Sequence, residues 1–162
     1  MGFLKDLFGR SDGIKICAPC AGRLRPLQEV EDPTFSAGLL GQGIAIVPTD
    51  GKFYAPADGI VATVFPTGHA AAIKTTGDAD VLLHIGLDTV KLNGKYFTIY
   101  VEEGQQVKKG DLLLEADLEA VREAGYDTST PIVICNTDAF DKIETSGAGE
   151  VAAGDEILRL TK

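Results

Sequence analysis

The chain has 162 residues, 44% of them hydrophobic, and a formal net charge of −9. That length carries one well-cored domain, and the negative charge argues against nucleic-acid binding. No apolar run reaches the length of a membrane span and no signal peptide opens the chain, so a cytoplasmic protein is expected.

Residues 1–13 stand apart as a flexible or weakly amphipathic tail. Phe3, Leu4, Leu7 and Phe8 share one helical face, which allows at most weak contact with a membrane surface. Residues 14–162 read as one domain of short apolar runs punctuated by glycine and proline. Cys17-Ala18-Pro19-Cys20 has the spacing of a redox or metal half-site. No second pair follows, so two small thiols in a reducing compartment is the better reading. Asp32 is placed to cap a single helical turn over Pro33-Thr34-Phe35-Ser36. Gly43-Ile44-Ala45-Ile46-Val47-Pro48, Phe53-Tyr54-Ala55 and Gly59-Ile60-Val61-Ala62-Thr63-Val64-Phe65 read as strands. Thr75-Thr76-Gly77-Asp78 reads as a hairpin turn centred between Thr76 and Gly77. Across it His69 falls opposite His84, with Cβ atoms roughly 5 Å apart. Tyr96-Phe97-Thr98-Ile99-Tyr100-Val101 is a further strand. Asp117 caps a helix over residues 118–124 that Gly125 ends. Ile132-Val133-Ile134-Cys135 reads as a buried strand, and a helical turn or two is expected at residues 138–142.

Two segments recur. Ala18-Pro19-Cys20-Ala21-Gly22-Arg23-Leu24 returns as Ala55-Pro56-Ala57-Asp58-Gly59-Ile60-Val61. Val107-Lys108-Lys109-Gly110-Asp111-Leu112-Leu113-Leu114 returns as Val151-Ala152-Ala153-Gly154-Asp155-Glu156-Ile157-Leu158. Each pair carries the same punctuation: a proline-initiated strand bent at glycine, and a Gly-Asp turn between strands. The expected fold is all-β, an antiparallel sandwich or flattened barrel built from a duplicated motif, with a few short helical turns.

The candidate site is the histidine pair, the only two histidines in the chain. His84 stands in Val81-Leu82-Leu83-His84-Ile85-Gly86-Leu87-Asp88-Thr89-Val90, where a buried imidazole needs partners for its nitrogens. Thr67 lies two residues before His69, where its hydroxyl can hold one ring in a single tautomer. Gly68 and Gly86 remove side-chain bulk beside both rings, leaving room for another molecule's backbone. Phosphoryl transfer needs little more than a positioned nucleophile and donors for the equatorial oxygens, and two imidazoles can supply both. Two histidines alone do not make a catalytic zinc site. No Gly-x-Ser-x-Gly elbow and no phosphate-binding glycine loop occurs.

These residues resemble the glucose-type enzyme IIA domain of the bacterial sugar phosphotransferase system. Residues 81–90 carry the resemblance, supported by Thr67-Gly68-His69-Ala70, by residues 41–48 and 102–111, by Asp32-Pro33-Thr34-Phe35 and by Thr130-Pro131-Ile132-Val133-Ile134. It covers residues 14–162. The resemblance implies a phosphotransferase component without a required cofactor. His84 would accept a phosphoryl group from the phosphocarrier protein HPr and pass it to a cysteine of a sugar-specific IIB domain. His69 would support the transfer, and Thr67 would bond to His69. Asp32, Phe35, Leu82, Gly86, Asp88 and Val90 fall at the implied partner-facing rim. Zinc at a partner interface, held by His69, His84 and a partner's carboxylate, and regulated transporters or kinases as further partners are also within its scope. Acceptance needs neutral His84 and is expected to fail below pH of about 6.5. Two other readings stay open: a non-catalytic regulatory binding module, and a biotinyl- or lipoyl-type carrier with Lys74 as its only attachment candidate.

Overall fold

In a computed structural model that describes residues 13–146 and 149–162, the short apolar runs form strands separated by tight turns. Strands β1 (Ile14–Cys17), β2 (Gly22–Pro26) and β3 (Gln42–Pro48) open the chain, with a one-turn helix α1 (Pro33–Ser36) between the last two. There follow β4 (Lys52–Tyr54), β5 (Gly59–Val64), β6 (Ala70–Thr75), β7 (Asp80–His84), β8 (Phe97–Ile99), β9 (Gln106–Val107) and β10 (Leu112–Ala116). Helix α2 (Leu118–Glu123) leads into β11 (Thr130–Ile134), β12 (Lys142–Thr145), β13 (Gly149–Val151) and β14 (Glu156–Thr161). Both expected helix caps form: Asp32 Oδ1 accepts the Thr34 N–H at 3.0 Å and Asp117 Oδ1 accepts the Ala120 N–H at 3.1 Å. The amphipathic pattern of Phe3, Leu4, Leu7 and Phe8 lies outside the described residues.

One antiparallel eight-stranded sheet has the order β13-β2-β3-β11-β7-β6-β5-β9, and two three-stranded sheets have the orders β1-β14-β12 and β4-β10-β8. The core lies between them: Ile44, Ile46, Ile73, Val81, Leu83, Ile132 and Ile134 of the large sheet meet Ile16, Phe53, Leu113, Leu114, Leu158 and Leu160 of the small ones. The sandwich expectation holds. A closed barrel does not, because among the described residues β13 and β9 end the large sheet with one neighbour each.

The repeats become a pseudo-two-fold axis. Reversing the strand order of the large sheet exchanges β13 with β9, β2 with β5, β3 with β6 and β11 with β7, and the two small sheets exchange as well. The match extends to single hydrogen bonds. Lys108 N–H donates to Asp111 Oδ2 at 2.8 Å, and Ala152 N–H donates to Asp155 Oδ2 at 2.9 Å. Where the copies meet, Cys17 N–H donates to Pro56 O and Tyr54 N–H donates to Pro19 O, a reciprocal pair at 2.9 and 2.8 Å. Residues 52–116 form one copy without interruption, inserted between β3 and β11 of the other.

The strand period of two sorts the central strands into faces. Val81 and Leu83 of β7 point into the core with Ile132 and Ile134 of β11. Leu82 and Val133 point outward, where Leu27, Val30, Phe35, Ala45 and Leu87 cover them in a smaller second cluster. His84 has the parity of Leu82, so it emerges on this outer face beside α1.

Three local expectations are corrected. Cys135 is exposed and follows the end of β11 rather than lying in a buried strand. The strand expected from Tyr96 begins at Phe97, because Tyr96 sits in the left-handed region at φ 76°. The hairpin after β6 also has a three-residue loop, with Asp78 left-handed at φ 68° and Thr75 N–H donating to Ala79 O at 2.9 Å. The extra loop residue shifts the register, so His84 pairs with Ala70 and not with His69.

Candidate functional site

A one-residue slip in a regular ladder would put the two imidazoles on opposite faces. They meet nonetheless, edge to face, with ring centroids 4.9 Å apart and planes at 82°. His69 escapes the parity rule because it precedes β6. It follows a turn in which Gly68 N–H donates to Phe65 O at 2.7 Å and Gly68 adopts φ 74°. Its carbonyl still accepts the Ile85 N–H at 2.7 Å, which anchors the turn to the strand end that carries His84.

His69 is buried, 2% exposed, while His84 is half-buried. Phe65 packs edge-on against His69 at 5.3 Å and Phe97 lies 6.4 Å from it. Phe35 packs against His84 at 5.0 Å. His69 Nδ1 is 2.5 Å from Thr67 Oγ1. His84 Nδ1 is 2.7 Å from the carbonyl oxygen of Gly86. A carbonyl only accepts, so Nδ1 of His84 carries the proton and Nε2 carries the lone pair. Burial, with the neighbouring His84 acting in the same direction, lowers the His69 pKa to about 4. Burial also lowers His84 below its ordinary 6.5, opposed by the bond to Gly86 and by the Asp32 and Asp88 carboxylates. Both rings are therefore neutral at neutral pH. The pair offers one nucleophilic nitrogen beside a second imidazole, under two carboxylates that favour positive charge on His84.

The other expected residues divide. Val90, 48% exposed, and Asp88 are at the surface, and Asp32 and Leu82 are half-buried. Phe35, 3% exposed, and Gly86 are buried, and both contact His84 from within the fold. The two glycines also face internal neighbours. A Cβ on Gly68 would meet Phe97 Cβ at 3.0 Å, and one on Gly86 would meet Thr89 Cγ2 at 2.6 Å. Their lack of a side chain serves internal packing.

Sequence reasoning missed Phe65 and Phe97 as neighbours of His69, and with them the exposed Ile99, which lies against Gly68. Phe65 had a signal, an aromatic ending a strand just before the Thr67-Gly68-His69 turn. Phe97 and Ile99 had none, because tertiary packing alone brings them there.

Lys74 lies within β6, 3.7 Å from Asp80, and not at a hairpin tip, which removes the attachment geometry of a carrier domain. Burial pushes the Cys20 thiol up to about 12, with Asp50 adding to the effect, so Cys20 offers no thiolate for a redox role. Among the described residues, no group of three or more His, Cys, Asp or Glu is arranged to hold a metal ion. Among the same residues, no helix is long and apolar enough to cross a membrane.

Comparison with known proteins gives a family. Residues 14–140 match the family model described as phosphoenolpyruvate-dependent sugar phosphotransferase system, EIIA 1. A glucose-specific EIIA component of Bacillus cereus is 42% identical over 161 residues, covering 97% of this chain and 98% of that one. A beta-glucoside-specific EIIBCA component of Dickeya chrysanthemi is 48% identical over 143 residues, covering 88% of this chain. The chain spans only about a quarter of the length of such EIIBCA relatives, 23% and 24% in two of them. Among solved structures, the glucose permease IIA of Mycoplasma capricolum superposes with a TM-score of 0.85 at 40% identity, covering 90% of this chain and 94% of that one.

Proposed function

We propose, for a chain that belongs to the EIIA 1 family of the phosphoenolpyruvate-dependent sugar phosphotransferase system, that it relays a phosphoryl group through Nε2 of His84. One observation carries the reading: the 2.7 Å bond from Nδ1 of His84 to the Gly86 carbonyl, which leaves Nε2 unprotonated beside a second imidazole. The donor in this reading is the phosphocarrier protein HPr, and the acceptor is a cysteine of a sugar-specific IIB domain. Relatives named EIIBCA support the second assignment, since their names join EIIA to EIIB and EIIC.

In the first step the Nε2 lone pair forms the new P–N bond while the old P–N bond breaks, its electron pair returning to the donor imidazole. His84 keeps its Nδ1 proton, so its ring gains positive charge. The Gly86 carbonyl and the Asp32 and Asp88 carboxylates stabilise that charge. With the Thr67 hydroxyl donating to Nδ1 of His69, Nε2 of His69 is an N–H donor for a phosphoryl oxygen. In the second step a IIB thiolate attacks phosphorus, a P–S bond forms, and His84 recovers its neutral state.

The test is incubation with enzyme I, HPr and labelled phosphoenolpyruvate, followed by site mapping. His84→Gln is expected to abolish labelling. His69→Gln is expected to retain acceptance within about two-fold but to slow donation to IIB by roughly 100-fold, the cost of one oriented transition-state donor. Label retained on the His84→Gln chain, or unimpaired donation by His69→Gln, would overturn the respective assignment.

A further inference from the structure

The carbonyl that fixes the His84 proton is itself held by groups remote from either ring. In a trans peptide the C=O and the following N–H point in opposite directions. The Leu87 N–H donates to the backbone carbonyl of Asp127 at 2.9 Å, which turns the Gly86 carbonyl the other way, onto His84 Nδ1. One peptide earlier, the Ile85 carbonyl accepts the Thr89 hydroxyl at 2.5 Å, and Thr89 is fully buried. Gly86 sits between these two anchors at φ 78°. A Cβ there would lie 2.6 Å from Thr89 Cγ2 and 2.9 Å from the Asp127 carbonyl oxygen.

The Asp127 carbonyl is fixed in turn. Its side-chain Oδ1 accepts the Ser129 N–H at 2.7 Å, closing a local turn. Ser129 Oγ accepts a 3.0 Å bond from Arg25 of β2, whose other nitrogen donates to Glu29 O at 2.6 Å. The large sheet thus braces the turn that braces the Gly86 peptide.

We propose that Thr89 and Asp127 are positioning residues that keep the His84 proton on Nδ1 through the Gly86 peptide, so that only Nε2 can attack phosphorus. This rests on His84 being the phosphoryl acceptor. A neutral imidazole released from the carbonyl distributes its proton over both nitrogens, and the fraction protonated at Nε2 has no lone pair there to donate. Losing the orientation of one hydrogen bond corresponds to a roughly three- to ten-fold loss of the reactive tautomer.

The experiment uses the full chain with 15N-labelled histidine. Two histidines give two spin systems, so long-range 1H–15N spectra at pH 8 read each tautomer directly. The wild type is expected to show His84 protonated at Nδ1. Thr89→Val and Asp127→Ala are expected to show a tautomer mixture and a three- to ten-fold slower acceptance from phosphorylated HPr. Thr89→Ser and Asp127→Asn, which keep the hydroxyl and the acceptor oxygen, are expected to restore both. Asp127 is exposed, so its alanine variant tests the proposal even where Thr89→Val fails to fold. A pure Nδ1–H signature in folded Asp127→Ala overturns the proposal. Absence of labelling in the wild type overturns the acceptor assignment instead, because the tautomer is read without phosphoryl transfer.

Discussion

At the residue scale the two imidazoles are set apart by their titration. Burial lowers the pKa of both, so His84 remains a neutral nucleophile below pH 6.5 and the acid limit of acceptance moves below the ordinary histidine value. A pH profile of phosphoryl acceptance checks this: half-loss is expected below pH 6.5, and a midpoint at or above it would contradict the geometry. Asp32 and Asp88 act in the opposite direction, since their carboxylates favour the protonated ring. Asp88→Asn is therefore expected to lower the midpoint further while slowing acceptance a few-fold, because the same field stabilises the charge that develops on the ring. His69 carries a stability consequence. Its folded-state pKa, about 4, lies below the unfolded value, so the unfolded chain binds more protons between the two. That contribution is complete above about pH 6.5 and declines as pH falls toward 4, by roughly 3 kcal/mol at most. Denaturant titrations should show His69→Gln losing less stability than the wild type between pH 6.5 and 4.5.

At the element scale the duplication makes a quantitative demand. The Gly-Asp turns at Gly110 and Gly154 have φ values of 92° and 96° and no heavy atom within 4 Å of an added Cβ, so backbone strain alone sets the cost of a side chain. Gly110→Ala and Gly154→Ala should each destabilise by about 1–2 kcal/mol and by the same amount within error, read from urea midpoints. A large difference would mean that the two turns are equivalent in shape only. The repeated segments make this duplication legible in the sequence, since Pro-Gly punctuation and Gly-Asp turns are local chemistry. The caps of Asp32 and Asp117 were legible for the same reason. The register between β6 and β7 was not. It depends on whether the loop holds two residues or three, and Asp78 in a left-handed conformation leaves no pattern that separates the cases. The histidine pair was legible as a pair, yet its contact arises where His69 leaves the ladder and not from cross-strand pairing. Thr89, Asp127 and Phe97 were illegible as parts of the site, because each reaches it through tertiary packing or a backbone carbonyl.

At the scale of the whole molecule, the insertion of one copy inside the other governs how the fold can come apart. Residues 52–116 contain all the strands of one copy, but their apolar faces are completed by the other: Val81, Leu83 and Ile73 share a core with Ile132 and Ile134, and Phe53 and Leu114 share it with Ile16 and Leu158. The seam between β7 and β11 is itself a ladder, pairing Leu83 with Ile132 and Val81 with Ile134. Severing the copies would expose this ladder edge together with the apolar face beneath it, in a fragment already small for an independent core. The intact chain should therefore unfold in one transition, with coincident midpoints by fluorescence of the tyrosines and by far-ultraviolet circular dichroism. The isolated 52–116 segment should show narrow amide-proton dispersion and no cooperative melt, although it carries both His69 and His84. A dispersed spectrum with a cooperative melt from that segment would mean that the copies are separable domains, and that the second copy is dispensable for holding the two imidazoles together.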